Sequence, residues 1–307
     1  MKIVKRILLG LLGLILALVI FLAGSIFVDG FFAKGRLDAL TNTEIAAADG
    51  TPIGAYLAKP ATAGPHPAVI MIHEFYGLRA DMLGKADALA AEGYVVIAPN
   101  VYRSGTTGWI PAAIYKMLSA DTAQIDGDVQ ATFEWLASQE DVRADRIAIM
   151  GFCFGGGTSL RYSLSNNKLA AIAVFYGQPI SDPARLKAIS APVLGIYGAA
   201  DVSIPQTSVE ALRQGLEEAG VKHEITLYAG QPHAFVSSME VINQGGAPQQ
   251  AWKQLLAFLK TNLQEGSASS ATQSHSQSLS QSDAARGESL LLYALRLALG
   301  HLRHQRM

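Results

Sequence analysis

The distribution of apolar residues divides the chain into an uncharged N-terminal run, a central region of alternating apolar and amphipathic segments, and a polar stretch with a short amphipathic tail. In the central region, apolar runs of strand length alternate with segments that have helical spacing. The predicted strands are Thr51–Lys59, Ala68–His73, Tyr94–Ala98, Ile147–Met150, Ala170–Phe175, Val193–Tyr197 and Glu224–Tyr228. The predicted helices include Met82–Glu92, Ile110–Ser119, Ala120–Gln139, Gly156–Ser165 and Ala247–Leu263. This alternation predicts one α/β domain over residues 41–263, with a mostly parallel sheet and helices on both faces.

Residues 1–30 predict a transmembrane segment outside that domain. The uncharged run Ile7–Val28 follows Lys2, Lys5 and Arg6. Its 22 residues would form a helix of about 33 Å, enough to cross a hydrocarbon core of about 30 Å. Cleaved signal peptides usually have a shorter apolar region, so we expect an uncleaved signal anchor, with secretion after cleavage as the alternative. The basic flank predicts a cytoplasmic N-terminus and places the α/β domain outside the cytoplasm, in the periplasm of a bacterium.

The C-terminal part of the chain changes composition twice. Residues 264–287 are rich in Ser, Gln and Ala, which predicts a flexible linker. Residues 288–307 predict a basic amphipathic helix, because Leu291, Leu295 and Leu302 share one helical stripe with basic residues nearby. Such a helix can bind an anionic membrane or a partner protein, and an incidental tail is the alternative.

Composition and charge narrow the classes of function. Half of the 307 residues are apolar, which is ample for a large core, and the net charge of −1 gives no bulk basic character that would favour nucleic acid. A single cysteine excludes an intramolecular disulfide and any cysteine-rich metal cluster. The pair His73-Glu74 does not continue to the zinc motif H-E-x-x-H, because position 77 is glycine. We therefore predict no metal and no cofactor, and the sequence leaves the oligomeric state open.

The single cysteine lies at the centre of Gly151-Phe152-Cys153-Phe154-Gly155, between a predicted strand and a predicted helix. The pattern G-x-C-x-G is the nucleophile elbow of an α/β-hydrolase with cysteine in place of serine. Glycines are expected at both flanking positions, because side chains there would clash with neighbouring elements at the sharp turn. A thiol at a helix N-terminus favours the reactive thiolate. A small buried structural cysteine is the alternative.

Two further residues follow later strands in the order that this fold uses, nucleophile, acid and histidine. Asp201 comes after Val193–Tyr197, and His233 comes after Glu224–Tyr228. Either residue alone could be an ordinary turn or surface residue, but the order and placement of all three favour a triad. Asp201 would orient His233, which would serve the Cys153 thiol and later the attacking water.

The segment His73-Glu74-Phe75-Tyr76-Gly77-Leu78 directly follows a predicted strand, where an α/β-hydrolase places part of its oxyanion hole. We expect the backbone N–H groups of Phe75 and Phe154 to stabilise a tetrahedral oxyanion. Glu74 is either an acid of the active site or a solvated loop acid.

Several motifs together resemble the dienelactone hydrolase family, and the resemblance spans about residues 44–262. The motifs are G-F-C-F-G-G, H-E-F-Y-G-L, G-A-A-D, P-H-A-F and the segment Ala98-Pro99-Asn100-Val101-Tyr102-Arg103. The resemblance implies an α/β-hydrolase fold and a triad of Cys153, His233 and Asp201. It also implies that Glu74 contacts the cysteine and helps to generate the thiolate. Finally, it implies that Arg103 binds a substrate carboxylate, with Tyr102 beside it in the substrate site.

The chain departs from the enzymes of that family that are specific for dienelactones. No arginine follows shortly after His233, and Asn100 stands where an aspartate is usual. A neutral or less acidic ester or lactone fits these departures better. We therefore expect a membrane-anchored hydrolase that cleaves a small carboxylic ester or lactone through an acyl-enzyme thioester. Acyl transfer on the same triad and a catalytically inactive membrane-anchored binding protein are the alternatives.

Overall fold

A computed structural model describes residues 2–264 and residue 296 of the chain. Within residues 2–264, the strands form one eight-stranded sheet. The strands are β1 Thr43–Ala46, β2 Pro52–Ala58, β3 His66–Ile72, β4 Val95–Pro99, β5 Val142–Phe152, β6 Ala171–Phe175, β7 Val193–Gly198 and β8 His223–Tyr228. Their order in the sheet is β1-β2-β4-β3-β5-β6-β7-β8.

The sheet is mostly parallel, as the sequence predicts. Strands β4, β3, β5, β6, β7 and β8 run parallel to one another, whereas β2 pairs antiparallel with both β1 and β4. Each of the seven predicted strands is present, as β2 to β8. Strand β1 has no counterpart in the prediction, because its four residues bury only Ile45 and give too short a pattern to identify.

The helices are α1 Lys2–Asp38, α2 Ala80–Ala91, α3 Ile110–Ser119, α4 Thr122–Ala137, α5 Phe154–Tyr162, α6 Pro183–Leu186, α7 Gln206–Glu218, α8 Met239–Asn243 and α9 Gly246–Leu259. Every residue of β4, β6 and β7 is buried. Because successive strand residues point to opposite faces, both faces of the sheet are covered in its centre. This arrangement confirms the predicted layering.

Helix α1 is longer than the predicted membrane segment, and its C-terminal end packs on the α/β domain. One 18-residue window has a mean hydropathy of 3.0, so its length and composition allow it to cross a bilayer, as those of a signal sequence also would. Its last turns pack on the domain, where Ala33 and Leu37 are buried. The Arg36 guanidinium donates to the Thr106 carbonyl at 3.0 and 3.1 Å. The packed core therefore begins before the predicted domain boundary at residue 41.

The C-terminal edge of the domain is helical to Gln264. After α9, a π-helical turn covers Lys260–Gln264 and buries Leu263, so the predicted helix Ala247–Leu263 spans both elements. Beyond Gln264, the predicted linker and terminal helix lie outside the described residues, apart from Arg296. The backbone of Arg296 is helical, and its carbonyl accepts a hydrogen bond from Ser203 Oγ at 3.2 Å.

Candidate active site

Cys153 occupies a strained turn between β5 and α5. Its φ of 55° and ψ of −115° lie in a region that non-glycine residues rarely adopt. Two backbone hydrogen bonds hold the turn, because the Cys153 N–H donates to the Phe175 carbonyl at 2.9 Å and its carbonyl accepts from the Gly157 N–H at 3.1 Å. The thiol is fully buried at the N-terminus of α5. The chain therefore holds its single cysteine in a conformation that packing alone would not require.

The two glycines beside this cysteine have the steric role that the motif predicts. A Cβ added to Gly151 would overlap the backbone of Gly155, and a Cβ added to Gly155 would overlap the carbonyl of Ile72. The elbow is thus packed backbone to backbone against the end of β3.

Asp201 and His233 lie beyond the carboxyl ends of β7 and β8, at the same edge of the sheet as Cys153. His233 Nδ1 is 2.6 Å from Asp201 Oδ2, and both side chains are buried. The other oxygen, Oδ1, accepts hydrogen bonds from the N–H groups of Ser203 at 2.7 Å and Ile204 at 3.0 Å. The carboxylate is therefore fixed by the backbone and in turn fixes the imidazole ring.

The electrostatics of this pair favour a protonated imidazole. Burial by itself lowers the pKa of His233, but the charge of Cys153 and hydrogen bonds with Asp201 and Cys153, together with the charge of Asp201, raise it to about 10. An imidazolium next to a cysteine stabilises the thiolate, which is the nucleophilic form. The three residues predicted as a triad are thus brought together by the fold.

The segment after β3 lies against the start of α5. The Gly77 N–H donates to the Glu74 carbonyl at 3.1 Å and closes a tight turn, in which Phe75 is buried. Phe154 is the first residue of α5, so its N–H has no acceptor within the helix. The rings of His73 and Phe154 stack with centroids 6.0 Å apart. The predicted oxyanion donors, the N–H groups of Phe75 and Phe154, are therefore on adjoining segments.

Glu74 lies among tyrosines at this edge. Its Oε1 is buried and has no hydrogen-bond partner among the described residues. Burial raises the pKa of Tyr76 and of Tyr176, and the charges of Glu74 and Cys153 raise both further. These effects place the carboxylate and the thiol near the same two rings. A direct contact between Glu74 and Cys153 stays a prediction.

Tyr102 lies beside His73 and Phe154, and its predicted contact with the substrate stays a prediction. Its ring centroid is 4.9 Å from that of His73 and 5.0 Å from that of Phe154. Burial raises the pKa of Tyr102 well above its ordinary value, and the charge of Cys153 adds to the effect. The Tyr102 hydroxyl and His73 Nε2 are both buried without a hydrogen-bond partner in the described part of the chain. Burial also lowers the pKa of His73 to about 4, so its imidazole is neutral.

Arg103 is paired with two carboxylates of the chain, and its predicted contact with a substrate carboxylate stays a prediction. Its Nε and Nη2 donate to Asp128 at 2.8 and 2.5 Å, and its Nη1 donates to Asp49 at 2.8 Å. These hydrogen bonds raise the pKa of Arg103, and the bond from Arg103 lowers that of Asp49 to about 2. Two carboxylates of the chain thus already neutralise the guanidinium.

Two residues near the site were not identified from the sequence. Tyr176 follows β6 with a φ of 40°, and its ring meets that of His233 edge-on at 5.0 Å. Lys85 is almost fully buried; its Nζ donates to the Ser237 carbonyl at 2.6 Å and lies 4.4 Å from the centre of the Phe152 ring. Burial lowers the pKa of Lys85, and the charge of Glu74 opposes this effect.

The sequence does contain a signal for both of these residues. Tyr176 stands directly after a predicted strand, at the edge where the other site residues lie. Lys85 stands on the face of α2 that buries Met82, Ala86 and Leu89, which marks an unusual position for a lysine.

Comparison with known proteins identifies the family. The model of the dienelactone hydrolase family matches residues 53–263. The chain belongs to the dienelactone hydrolase family. It is therefore a carboxylic ester hydrolase, in a family that acts on lactones and esters.

Individual relatives agree with this assignment. The chain is 33% identical over 224 residues to a candidate carboxymethylenebutenolidase of Salmonella typhimurium, and this alignment covers 68% of this chain and 83% of that protein. It is 28% identical over 244 residues to a candidate 2-oxo-3-(5-oxofuran-2-ylidene)propanoate lactonase of Bradyrhizobium, covering 72% and 97%. The crystal structure of a candidate dienelactone hydrolase from Klebsiella pneumoniae matches with a TM-score of 0.63 and 31% identity, covering 71% and 97%. The predicted α/β-hydrolase fold is thereby confirmed.

Proposed function

We propose that this protein is a membrane-anchored hydrolase of small carboxylic esters or lactones, and that Cys153, His233 and Asp201 carry the reaction through an acyl-enzyme thioester. The observation that carries the proposal is the buried contact of 2.6 Å between His233 Nδ1 and Asp201 Oδ2 beside a cysteine in a strained strand-to-helix turn. A buried structural cysteine would need neither the strain nor the raised pKa of His233.

In the first half of the reaction, the Cys153 thiolate attacks the carbonyl carbon and the carbonyl electron pair moves onto oxygen. The N–H groups of Phe75 and Phe154 stabilise that oxyanion. The protonated His233 then donates its Nε2 proton to the leaving alkoxide, the ester C–O bond breaks, and a thioester on Cys153 remains. For a lactone, the alcohol stays attached to the acyl chain.

In the second half, the neutral His233 takes a proton from water as the water oxygen attacks the thioester carbonyl. The tetrahedral intermediate expels the Cys153 thiolate and releases the acid product. Asp201 keeps the ring in one orientation and stabilises the imidazolium in both halves. Glu74, whose buried Oε1 lacks a partner in the described part of the chain, is proposed to help form the thiolate when substrate binds.

The polar groups of the site favour an uncharged substrate. Tyr102 and the neutral His73 offer a hydroxyl and a ring nitrogen beside Phe154, whereas the Arg103 guanidinium is already paired with Asp49 and Asp128. A neutral ester or lactone can use the hydroxyl and the imidazole. A carboxylate-bearing substrate would have to compete with two carboxylates for Arg103.

The N-terminal helix is proposed to be an uncleaved signal anchor that holds the catalytic domain outside the cytoplasm. Its hydropathy and its basic N-terminal flank support this assignment. A further support is that one continuous helix joins the apolar run to the buried residues Ala33 and Leu37. The mass of the mature chain, measured in membranes of a bacterial host, tests whether residues 1–30 are retained.

The experiment that tests the catalytic proposal is a panel of short esters and lactones, including a dienelactone, assayed with the full-length chain in detergent. We expect turnover that Cys153→Ala abolishes while its circular dichroism stays unchanged. Preference for neutral members of the panel would support the role of Tyr102 and His73. Turnover that survives in pure Cys153→Ala would overturn the proposal.

A further inference from the structure

The outward face of α3 carries large apolar side chains and no charge. Trp109, which precedes the helix, is 41% exposed, Tyr115 is 57% exposed and Leu118 is 39% exposed. The helix contains a single charged residue, Lys116, and its ammonium group is turned inward, where it donates to the carbonyl and hydroxyl oxygens of Ser104 at 2.9 and 3.0 Å. A surface helix that exposes aromatic rings and turns its only charge inward is typical of a contact surface.

This face adjoins α1 at the end of the apolar run. Trp109 Nε1 donates to Ser25 Oγ at 3.1 Å, and Ser25 lies inside the uncharged run Ile7–Val28. Tyr115 borders an open groove of about 680 Å³ whose other walls come from α1. The α1 residues of that groove are Ala23, Ile26, Phe27, Gly30 and Phe31. The catalytic domain thus touches α1 at residues that belong to the apolar run or directly follow it.

These contacts fix the depth of α3 once α1 spans a bilayer. The uncharged run is about as long as a hydrocarbon core of about 30 Å, so its end at Val28 lies near the outer boundary of that core. Ser25 is less than one helical turn from this end, which places Trp109 at the level of the lipid headgroups. Tryptophan and tyrosine concentrate at that level because their rings are apolar and their N–H or O–H groups are polar. The rings of Phe27, Phe31 and Phe32 are exposed on α1 close to the same depth.

We propose that the exposed face of α3 and the exposed rings of α1 form one membrane-docking surface, consisting of Trp109, Tyr115, Leu118, Phe27, Phe31 and Phe32. Its partner is the phospholipid bilayer that α1 crosses. The catalytic domain then lies against the outer leaflet and does not swing on a flexible tether. This inference rests on the proposed anchoring by α1 and is independent of the catalytic chemistry.

The docking surface is joined to the catalytic edge by a short strap, Thr106–Thr107. The Thr106 N–H donates to the Ala33 carbonyl at 3.3 Å on α1. On the other side, Thr106 Oγ1 and the Thr107 N–H both donate to the Tyr76 carbonyl, at 3.1 and 3.0 Å, within the proposed oxyanion loop. Docking of α3 therefore sets the orientation of the active site relative to the membrane.

Tryptophan fluorescence tests the proposal, because the chain has three tryptophans and only Trp109 belongs to the surface. The double variant Trp135→Phe/Trp252→Phe, reconstituted at full length in phosphatidylcholine–phosphatidylglycerol vesicles, leaves Trp109 as the sole tryptophan. We expect lipids brominated near the headgroup to quench it several-fold more than aqueous iodide does. The matched control, Trp109→Phe/Trp135→Phe, retains the buried Trp252 and should be quenched by neither.

Two results would overturn the docking surface. Trp109 could be quenched by iodide and not by brominated lipid, which would leave α3 in water. It could also be shielded from both, which would mean that a second copy of the chain or another protein covers it. Extraction with alkaline carbonate separates these failures from a failure of the anchor. If the chain resists extraction and brominated lipid does not quench Trp109, the chain is anchored but α3 does not dock. If carbonate releases the chain, both the anchor and the docking surface are wrong.

Discussion

Two groups of charged residues in the catalytic domain, one buried and one that reaches from the interior to the surface, differ in how fully their charges are paired with one another. In the first group, the Asp201 carboxylate holds one nitrogen of His233, and the ring faces the thiol of Cys153. In the second group, Asp128 and Asp49 engage Arg103 through all three of its nitrogens. The first group leaves a nucleophile next to a proton donor. In the second group, the arginine and its two carboxylates pair with one another. A charged residue near a site is therefore available for chemistry only when other residues of the chain do not already pair with it.

The largest expected effect comes from breaking the first group at its centre. His233→Ala removes the proton donor and the positive charge beside the thiol, and we expect turnover to fall by about 10³-fold or more. The matched control is His66→Ala, since within residues 2–264 the partly exposed His66 ring bonds the Thr62 carbonyl and lies away from the site. Equal kcat/KM values for the two variants would contradict the assignment of His233.

Asp201→Asn should alter both the rate and its pH dependence. The carboxylate is one of the groups that raise the pKa of His233 to about 10, so its removal lowers that pKa. Because acylation needs protonated His233, the alkaline limb of the profile of kcat/KM against pH moves to lower pH. The raised pKa also implies a contribution to stability that is complete below pH 6.5, the ordinary pKa, and is lost as the pH rises to about 10. The advantage of the wild type over Asp201→Asn in free energy of unfolding should therefore shrink across that interval, and an unchanged limb would contradict this account.

Removing the arginine of the second group should lower the free energy of unfolding but have a smaller effect on the catalytic rate. Arg103→Met leaves the Asp128 carboxylate buried without its cation, and we expect a loss of about 3 kcal/mol in the free energy of unfolding. Urea titration at pH 7 measures it. If Arg103 instead binds substrate, the variant would raise KM for acidic esters while leaving stability nearly unchanged.

The pattern of apolar runs predicts the sheet well, because β4, β6 and β7 are buried along their whole length, as is β3 from Pro67 to Ile72, and these stretches form continuous apolar segments. The placement of Cys153, Asp201 and His233 at one edge of the sheet also follows from the sequence, since each lies in the loop or turn after a predicted strand; their catalytic roles stay a prediction. Ion pairs between residues far apart in the sequence could not be predicted. Arg103 pairs with Asp49 and Asp128, which are 54 and 25 residues away, and no local sequence pattern indicates these contacts. Strand β1 is too short to identify, and the burial of the end of α1 depends on the position of Thr106 in the folded domain.

A smaller effect is expected at Lys85, which bonds the Ser237 carbonyl in the segment that follows His233. Lys85→Met keeps the apolar stem but leaves the Ser237 carbonyl without its donor, so we expect a loss of about 1–3 kcal/mol in stability. The matched control is Lys253→Met on α9, because among the described residues the exposed Lys253 Nζ bonds just the Gln249 side chain, at 3.2 Å. Equal unfolding midpoints for the two variants would show that the hydrogen bond from Lys85 to Ser237 does not stabilise the fold.

The smallest effect is expected at the rim of the second group. The Asp49 side chain is 58% exposed, so water screens its charge and Asp49→Asn should change the free energy of unfolding only slightly. Asp128→Asn, at the buried end, is the comparison and should cost clearly more. Equal losses would mean that burial does not distinguish the two carboxylates.

The most direct test of the central claim is to trap the acyl-enzyme. The full-length protein is mixed with an activated ester of a slowly hydrolysed acid, quenched in acid during turnover and digested for mass spectrometry. We expect the mass of the acyl group to appear on the peptide that contains Cys153 and to disappear as substrate is exhausted. Sustained turnover with an acyl group on another residue, or with no acyl-enzyme under conditions where deacylation limits the rate, would contradict it.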